Sequence, residues 1–398
     1  MWVTTFGLVL VLQSVRITYG LFENCDNLIY VDTSRDVVYN SPGYPNKYGS
    51  GSSCRATFKT KVGYSISLKC DLLTDKGPSG CDTEKIYISQ DADPSFRGAG
   101  QFCGSGHVER ESEYNKISIA YVSTAAPGSG IGGKFTCTVS VRVQACDCGW
   151  SQRGRLVGGT DASPTEFPSI VGLVEKSSNS VFCGGTIISS RAVLTAAHCS
   201  QLIPGKLASN VYIIAGYTYF SSTRPTVYSS TYMIIRIIEH ENYNPSTQLN
   251  DIALLITSTD IEWSRGVGPI CLPLDTSSLF AYENVLLVGA GTTSFSGPRS
   301  IIVQKAAVNV IPNQPCMNYF PGLQASQLCT YANGRDACQF DSGGPVVKLG
   351  STRQYLCGII SYGRACGGSS PGVNTRITYY ITWIRNNVVA SLCYKPYS

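Results

Sequence analysis

From Cys25 to about Val143 the chain alternates apolar and polar residues with a period of two. Tyr64, Ile66, Leu68 and Cys70 fall on one side of their segment, and Ser65, Ser67 and Lys69 on the other. Ile86 with Ile88, and Ile117 with Ile119 and Tyr121, repeat the pattern. The longest run sets Phe135, Cys137, Val139, Val141 and Val143 against Lys134, Thr136, Thr138, Ser140 and Arg142. Successive side chains of a strand point to opposite faces, so this spacing predicts strands with one face in a core. Short alternating runs between Gly, Pro and Ser turns predict an antiparallel sandwich. Beyond Leu156, many short strands between Gly, Pro and Asn turns again predict an all-β fold. There, only residues 379–390 have helical spacing, with Ile381, Ile384 and Val388 on one side. Between the two regions, residues 144–155 hold Cys146, Cys148, Trp150 and a Gly/Ser/Arg-rich tail, which predicts an exposed linker.

A chain of 398 residues is too long for one ordinary domain and fits two. The formal charge of +5 is not gathered into basic blocks, so composition argues for neither nucleic acid nor a membrane surface as a partner. The 17 cysteines are spread along the chain without paired C-x-x-C zinc spacing, which predicts a disulfide framework made in an oxidising compartment. Because 17 is odd, at least one cysteine stays a thiol or pairs outside the chain. Phe6 to Leu12 is a short apolar run followed by polar residues and the small Gly20, which predicts a signal peptide over residues 1–20. Gln13, Ser14 and Arg16 end the run well short of the ~20 residues a membrane span needs. The expected destination is therefore secretion.

The chemistry concentrates in three places. Residues 334–345 read Gly-Arg-Asp-Ala-Cys-Gln-Phe-Asp-Ser-Gly-Gly-Pro. A serine hydroxyl such as that of Ser342 needs a base to take its proton and fixed donors to hold the oxyanion that follows its attack. Gly343 and Gly344 allow a sharp turn after it. Upstream, Leu194-Thr195-Ala196-Ala197-His198-Cys199 and Asn250-Asp251-Ile252-Ala253-Leu254-Leu255 supply a histidine and an aspartate in apolar settings. The chain has three histidines. His107 falls in the first region, and His240, among Glu239, Glu241 and Asn242, is expected to be solvated. His198 is thus the natural general base.

The order His, Asp, Ser in these motifs resembles the trypsin-like, chymotrypsin-fold serine proteases, over residues 156–398. The resemblance implies two six-stranded barrels with His198, Asp251 and Ser342 as the catalytic triad in the cleft between them. It also implies that the backbone N–H groups of Phe340 and Ser342 form the oxyanion hole. Phe340 departs from the pattern, because the family usually has glycine there. Asp336, six residues before Ser342, stands where trypsins hold the carboxylate at the base of the pocket for the cleaved residue. Ser361, Gly363 and Gly372 would line that pocket, so cleavage after Arg and Lys is expected. Arg155-Leu156-Val157-Gly158-Gly159 resembles a zymogen activation site: cutting after Arg155 would free the amino group of Leu156 to pair with Asp341. The implied disulfides are Cys183 with Cys199, Cys316 with Cys329, and Cys338 with Cys366. Cys271 would reach Cys146 or Cys148, the other being left for Cys393, and Cys357 would keep its thiol. Tyr217 replaces an acid of a calcium loop found in some trypsins, so no metal or other cofactor is expected.

In the first region, Ser41-Pro42-Gly43-Tyr44-Pro45, the Ile66-Ser67-Leu68 strand, Cys81-Asp82 and Phe102-Cys103-Gly104 together resemble a CUB domain, assigned to residues 21–143. The resemblance implies disulfides between Cys25 and Cys54 and between Cys81 and Cys103. Cys70 and Cys137 lie on the inward faces of their strands, which makes a third bond reasonable. Ala56 stands where the family usually has Trp. Of the acids that hold calcium in many CUB domains, Asp75 and Asp82 are candidates, but Ser123-Thr124 replaces a later one, so the set is incomplete. The whole is similar to insect CUB-serine proteases, both venom and digestive. The expected fold is therefore all-β: a CUB sandwich, then a double barrel with a C-terminal helix. The expected partners are protein or peptide substrates, and a protein bound by the CUB domain. Two other functions fit the same motifs: a catalytically silent homologue acting as a binding protein, and a narrow protease within a cascade.

Overall fold

The computed structural model describes residues 22, 25–61, 64–77, 80–126, 128–143, 147–151, 160–163, 165–217, 226–273, 275–289, 303–332, 342–363, 370–390 and 392–395. The chain divides into two compact units, residues 1–145 and 146–398.

Nine strands build the first unit: β1 (Asp26–Tyr30), β2 (Val37–Asn40), β3 (Ser53–Lys59), β4 (Tyr64–Thr74), β5 (Glu84–Ser89), β6 (Gly100–Phe102), β7 (Ser105–Glu111), β8 (Lys116–Ser123) and β9 (Gly133–Val143). They form a five-stranded sheet, β1-β3-β8-β5-β6, and a four-stranded sheet, β2-β9-β4-β7. All pairings are antiparallel except β1 with β3. The period-two positions meet in one core: Phe58, Ile86, Ile88, Ile117 and Ile119 from one sheet, and Ile66, Leu68, Phe135 and Val139 from the other. Each such side chain contributes about 1.5–3 kcal/mol by leaving water. Cys70 and Cys137 are direct partners across β4 and β9, and they are bonded. Cys25–Cys54 and Cys81–Cys103 are also bonded.

The second unit opens with β10 (Thr160–Asp161), β11 (Ile170–Glu175), β12 (Ser180–Ser189), β13 (Ala192–Thr195), the short helix α1 (Ala197–Gln201), β14 (Val211–Ala215), β15 (Ser230–Glu239) and β16 (Ala253–Thr257). Strands β11-β12-β13-β16-β15-β14 close into a barrel. There follow β17 (Leu272–Pro273), β18 (Asn284–Gly289), β19 (Gln304–Ile311), α2 (Asn313–Cys316), β20 (Gln327–Tyr331), β21 (Pro345–Leu349), β22 (Gln354–Gly363), β23 (Gly372–Arg376), α3 (Ile377–Asn387) and β24 (Tyr394–Lys395). Strands β19-β18-β21-β22-β23-β20 form a second ring, closed by the pairing of β20 with β19, while β10 adds to β19 from outside. Helix α3 buries Ile377, Tyr380, Ile381 and Ile384. It starts two residues before the predicted span and stops at Asn387, so Val388 lies just past its end.

Residues 147–151 are docked rather than exposed as the sequence predicts. Cys148 is bonded to Cys271, which settles which linker cysteine reaches it. Gly149 donates to the Pro269 carbonyl and accepts from the Gln354 N–H, both at 2.8 Å. Trp150 donates from Nε1 to the Ser264 carbonyl at 3.1 Å and meets Trp263 edge to face. A Cβ on Gly268 would lie 1.8 Å from the Trp150 ring, so the indole fills a slot that only glycine leaves open.

Candidate active site

Asp251 leads into β16 and is 1% exposed in its side chain. Asn250 before it has φ +57°, a left-handed turn held by the Tyr380 hydroxyl on Asn250 Oδ1 at 2.8 Å. A buried carboxylate is tolerated only where donors replace water. Asp251 has three: the His198 backbone N–H at 2.9 Å, His198 Nδ1 at 2.8 Å and the Ser361 hydroxyl. Its backbone carbonyl accepts from Thr375 Oγ1 at 2.6 Å. Carbonyl, carboxylate and preceding residue are thus all fixed.

His198 lies in the first turn of α1, directly after β13. Two contacts set this corner: the Cys183–Cys199 disulfide, and Thr195 Oγ1 donating to the Gly184 carbonyl at 2.8 Å. The imidazole is 23% exposed, so one edge is buried against Asp251 while the ring stays partly open to solvent. An ionised carboxylate only accepts, so Nδ1 carries the proton of their bond and Nε2 is left with the lone pair of the neutral ring.

Ser342 lies in the turn before β21, between the barrels. Its carbonyl accepts from the Gly184 N–H at 2.8 Å, while Gly343 N–H donates to the Ile360 carbonyl at 2.9 Å. Gly343 has φ +79°, and a Cβ there would come within 2.3 Å of Thr195 Oγ1 and 2.5 Å of the Gly184 carbonyl. The serine turn therefore presses on the same corner that carries His198. Cys199 Sγ marks the convergence, 3.7 Å from His198 Nε2 and 3.5 Å from the Ser342 carbonyl.

Ser361 is 7% exposed near the end of β22, and Gly363 and Gly372 are opposite partners across β22 and β23. Arg155, Leu156, Asp336, Phe340, Asp341, Cys146, Cys338 and Cys366, with residues 1–20, lie outside the described residues. Cys316 is bonded to Cys329, Cys393 is in a disulfide, and Cys357 keeps a buried thiol.

His240 corrects the sequence reading. Its side chain is only 11% exposed, stacked on Trp383 with centroids 5.2 Å apart and edge-on to Tyr380 at 5.4 Å. Helix α3 brings both aromatics from far along the chain, which local polarity could not reveal. Burial lowers its pKa, opposed by Glu241. Nearby, burial and then the charges of Asp251 and Glu239 push the Tyr243 phenol up to about 12, so it is neutral at working pH. No local pattern marks Gly184, Thr375 and Tyr380 as contacts of Ser342, Asp251 and Asn250, because each meets its partner from far along the chain.

Cys183, His198 and Cys199 bring possible metal-ligand atoms within 4.8 Å of one another, but the two sulfurs are bonded to each other and offer no thiolate. In the first unit, Lys47 Nζ lies 2.6 and 2.7 Å from the two Asp75 oxygens, and Gly132 N–H donates to one of them at 3.1 Å. A divalent cation would meet an ammonium there, so these residues do not fit calcium as they stand.

The sequence matches the trypsin family model over residues 156–384 and the CUB domain model over residues 25–130. The chain belongs to the trypsin family. It is a trypsin-like serine endopeptidase that also carries a CUB domain. It is 35% identical over 377 residues to venom serine protease 34 of Apis mellifera, covering 91% of this chain and 87% of that protein. A venom serine protease of Polistes dominula is 34% identical, over 62% of this chain and 90% of that protein. Chymotrypsin-2 of Vespa crabro is 36% identical, over 58% of this chain and 99% of its own length. No helix among the described residues is long and apolar enough to cross a membrane.

Proposed function

We propose that this trypsin-like protease is secreted as a zymogen, activated by a cut after Arg155, and cleaves substrates after Arg and Lys. In this reading His198 Nε2 takes the proton of Ser342 as its oxygen attacks the scissile carbonyl. Asp251 holds the imidazole in the required tautomer and stabilises the imidazolium, which then protonates the leaving amine. Water repeats the sequence to release the acyl group. The observation that carries the proposal is the clamped Asp251–His198 pair beside the serine turn. Backbone N–H groups of Phe340 and Ser342 would hold the oxyanion.

Asp336 is the proposed partner of the substrate cation. A guanidinium can pair with both carboxylate oxygens, whereas the shorter ammonium would need a bridging water, so Arg is favoured over Lys. Phe340 would narrow the side of the cleft that receives residues after the cut. The CUB domain would recruit a protein partner or substrate. The test is to cleave the zymogen after Arg155 and profile the product on a peptide library. Cleavage after Arg, and less after Lys, is expected. Cleavage after Phe or Leu would overturn the role of Asp336. No cleavage, even of small Arg substrates, would favour the binding-protein function instead.

A further inference from the structure

Glu166 and Lys305 form a buried ion pair, with side chains 6% and 5% exposed. Two charges taken out of water cost several kcal/mol each, and a well-packed apolar pair in their place is often neutral or stabilising. Stability alone is therefore a poor reason for them. Their connections point elsewhere. The Glu166 carbonyl accepts from Ser151 Oγ at 2.7 Å and from Gln354 Nε2 at 2.8 Å. Glu166 Oε2 accepts from the Ser163 N–H at 3.2 Å, and Oε1 takes the Lys305 ammonium. Lys305 is in turn the register partner of Thr160, and Ala162 N–H donates to the Val303 carbonyl at 2.8 Å. Ser151 and Thr160 flank the segment that contains Arg155. The two residues of the pair thus meet the chain on both sides of that segment through their backbones, Glu166 at Ser151 and Lys305 at Thr160, while their side chains join the two contacts to each other.

We propose that Glu166 and Lys305 are positioning residues for activation, an inference that rests on the zymogen reading above. The four residues Leu156 to Gly159 reach at most about 14 Å from a root at Thr160. Delivery of the freed amino group depends on where that root is held. The brace fixes it by joining the 163–166 turn to β19. Loosening it would let the root and the residues after it sample many positions, each of which disfavours insertion.

The test pairs Glu166→Gln with Lys305→Met, which removes both charges and keeps the shapes, and compares the reversed pair Glu166→Lys with Lys305→Glu. After cleavage at Arg155, the Leu156 amine is probed with cyanate and kcat and KM are measured on a small Arg substrate. The uncharged pair should be cut at the wild-type rate, yet be carbamylated at least tenfold faster and lose at least tenfold in kcat with KM within twofold. The reversed pair should recover most of both. Should the uncharged pair fail to secrete, Glu166→Leu with Lys305→Met, which likewise leaves no unpaired buried charge, carries the same expectation. Carbamylation and kcat both within twofold of wild type would overturn the proposal. A wild-type chain that is not cut at Arg155, or that is active without the cut, would remove the zymogen reading and this inference with it.

Discussion

Asp251 draws its donors from three places: two on His198 and one on Ser361. Sequence assigns Ser361 to the pocket wall; its hydroxyl also donates to the carboxylate oxygen that holds His198 Nδ1. A hydrogen bond to a charged group contributes about 1.5–3 kcal/mol. Ser361→Ala is therefore expected to lower kcat roughly tenfold to a hundredfold at similar KM, since one pKa-unit equivalent is about 1.4 kcal/mol. Stopped-flow or steady-state assays on a small Arg substrate would detect it, and an unchanged kcat would remove Ser361 from the support of Asp251. At this scale the sequence is informative where a residue's own flanks are unusual. His198, Asp251 and Ser342 each sit in an apolar or Gly-rich setting that marks them. Ser361 also follows an apolar run, Leu356 to Ile360, but nothing in its flanks points to Asp251, and Thr375 lies in a mixed Val-Asn-Thr-Arg stretch. Their contacts with Asp251 depend on how β22 and β23 pair and on where that ring meets the first barrel.

Among the elements, α3 braces the corner that leads to Asp251. Tyr380 holds Asn250, and Trp383 covers His240 while donating from Nε1 to Glu241 at 2.9 Å. Burial depresses the His240 pKa from 6.5, so the folded chain binds its proton less readily than the unfolded chain. The stability this gives is complete above about pH 6.5 and is lost as pH falls through the lowered folded value. His240→Phe keeps a ring against Trp383 and cannot titrate. Its melting temperature should fall less steeply than that of wild type as pH drops below about 6.5, whatever its level at neutral pH. Parallel curves would show that His240 contributes no acid sensitivity. Strands were legible from alternation because one face of each lies in a core. The ends of α3 were less so, since its first turn is set by tertiary packing of Ile377 and Thr378, and Val388 looks helical by spacing alone.

Across the whole molecule, the described part of the junction between the two sequence regions, residues 147–151, belongs to the second unit. A linker of this composition looks exposed, whereas the docking of residues 147–151 depends on distant Gly268, Trp263 and Arg353. Arg353 pairs with Asp147, and the Cys148–Cys271 bond is fully buried. Cleavage after Arg155 is therefore expected to leave both chains together on a non-reducing gel. Mild reductant without denaturant should not part them, whereas reductant with denaturant should. Separation without reduction would contradict the tether.

The central claim is that Ser342, served by His198 and Asp251, is the nucleophile of a trypsin-like endopeptidase. Its most direct test is burst titration of the cleaved enzyme with a chromogenic Arg ester, beside Ser342→Ala prepared in the same way. A stoichiometric burst is expected from wild type and none from the variant, whose fold and secretion should be unchanged and whose turnover should fall to the residual rate left by oxyanion stabilisation. Near-normal turnover by Ser342→Ala would contradict it.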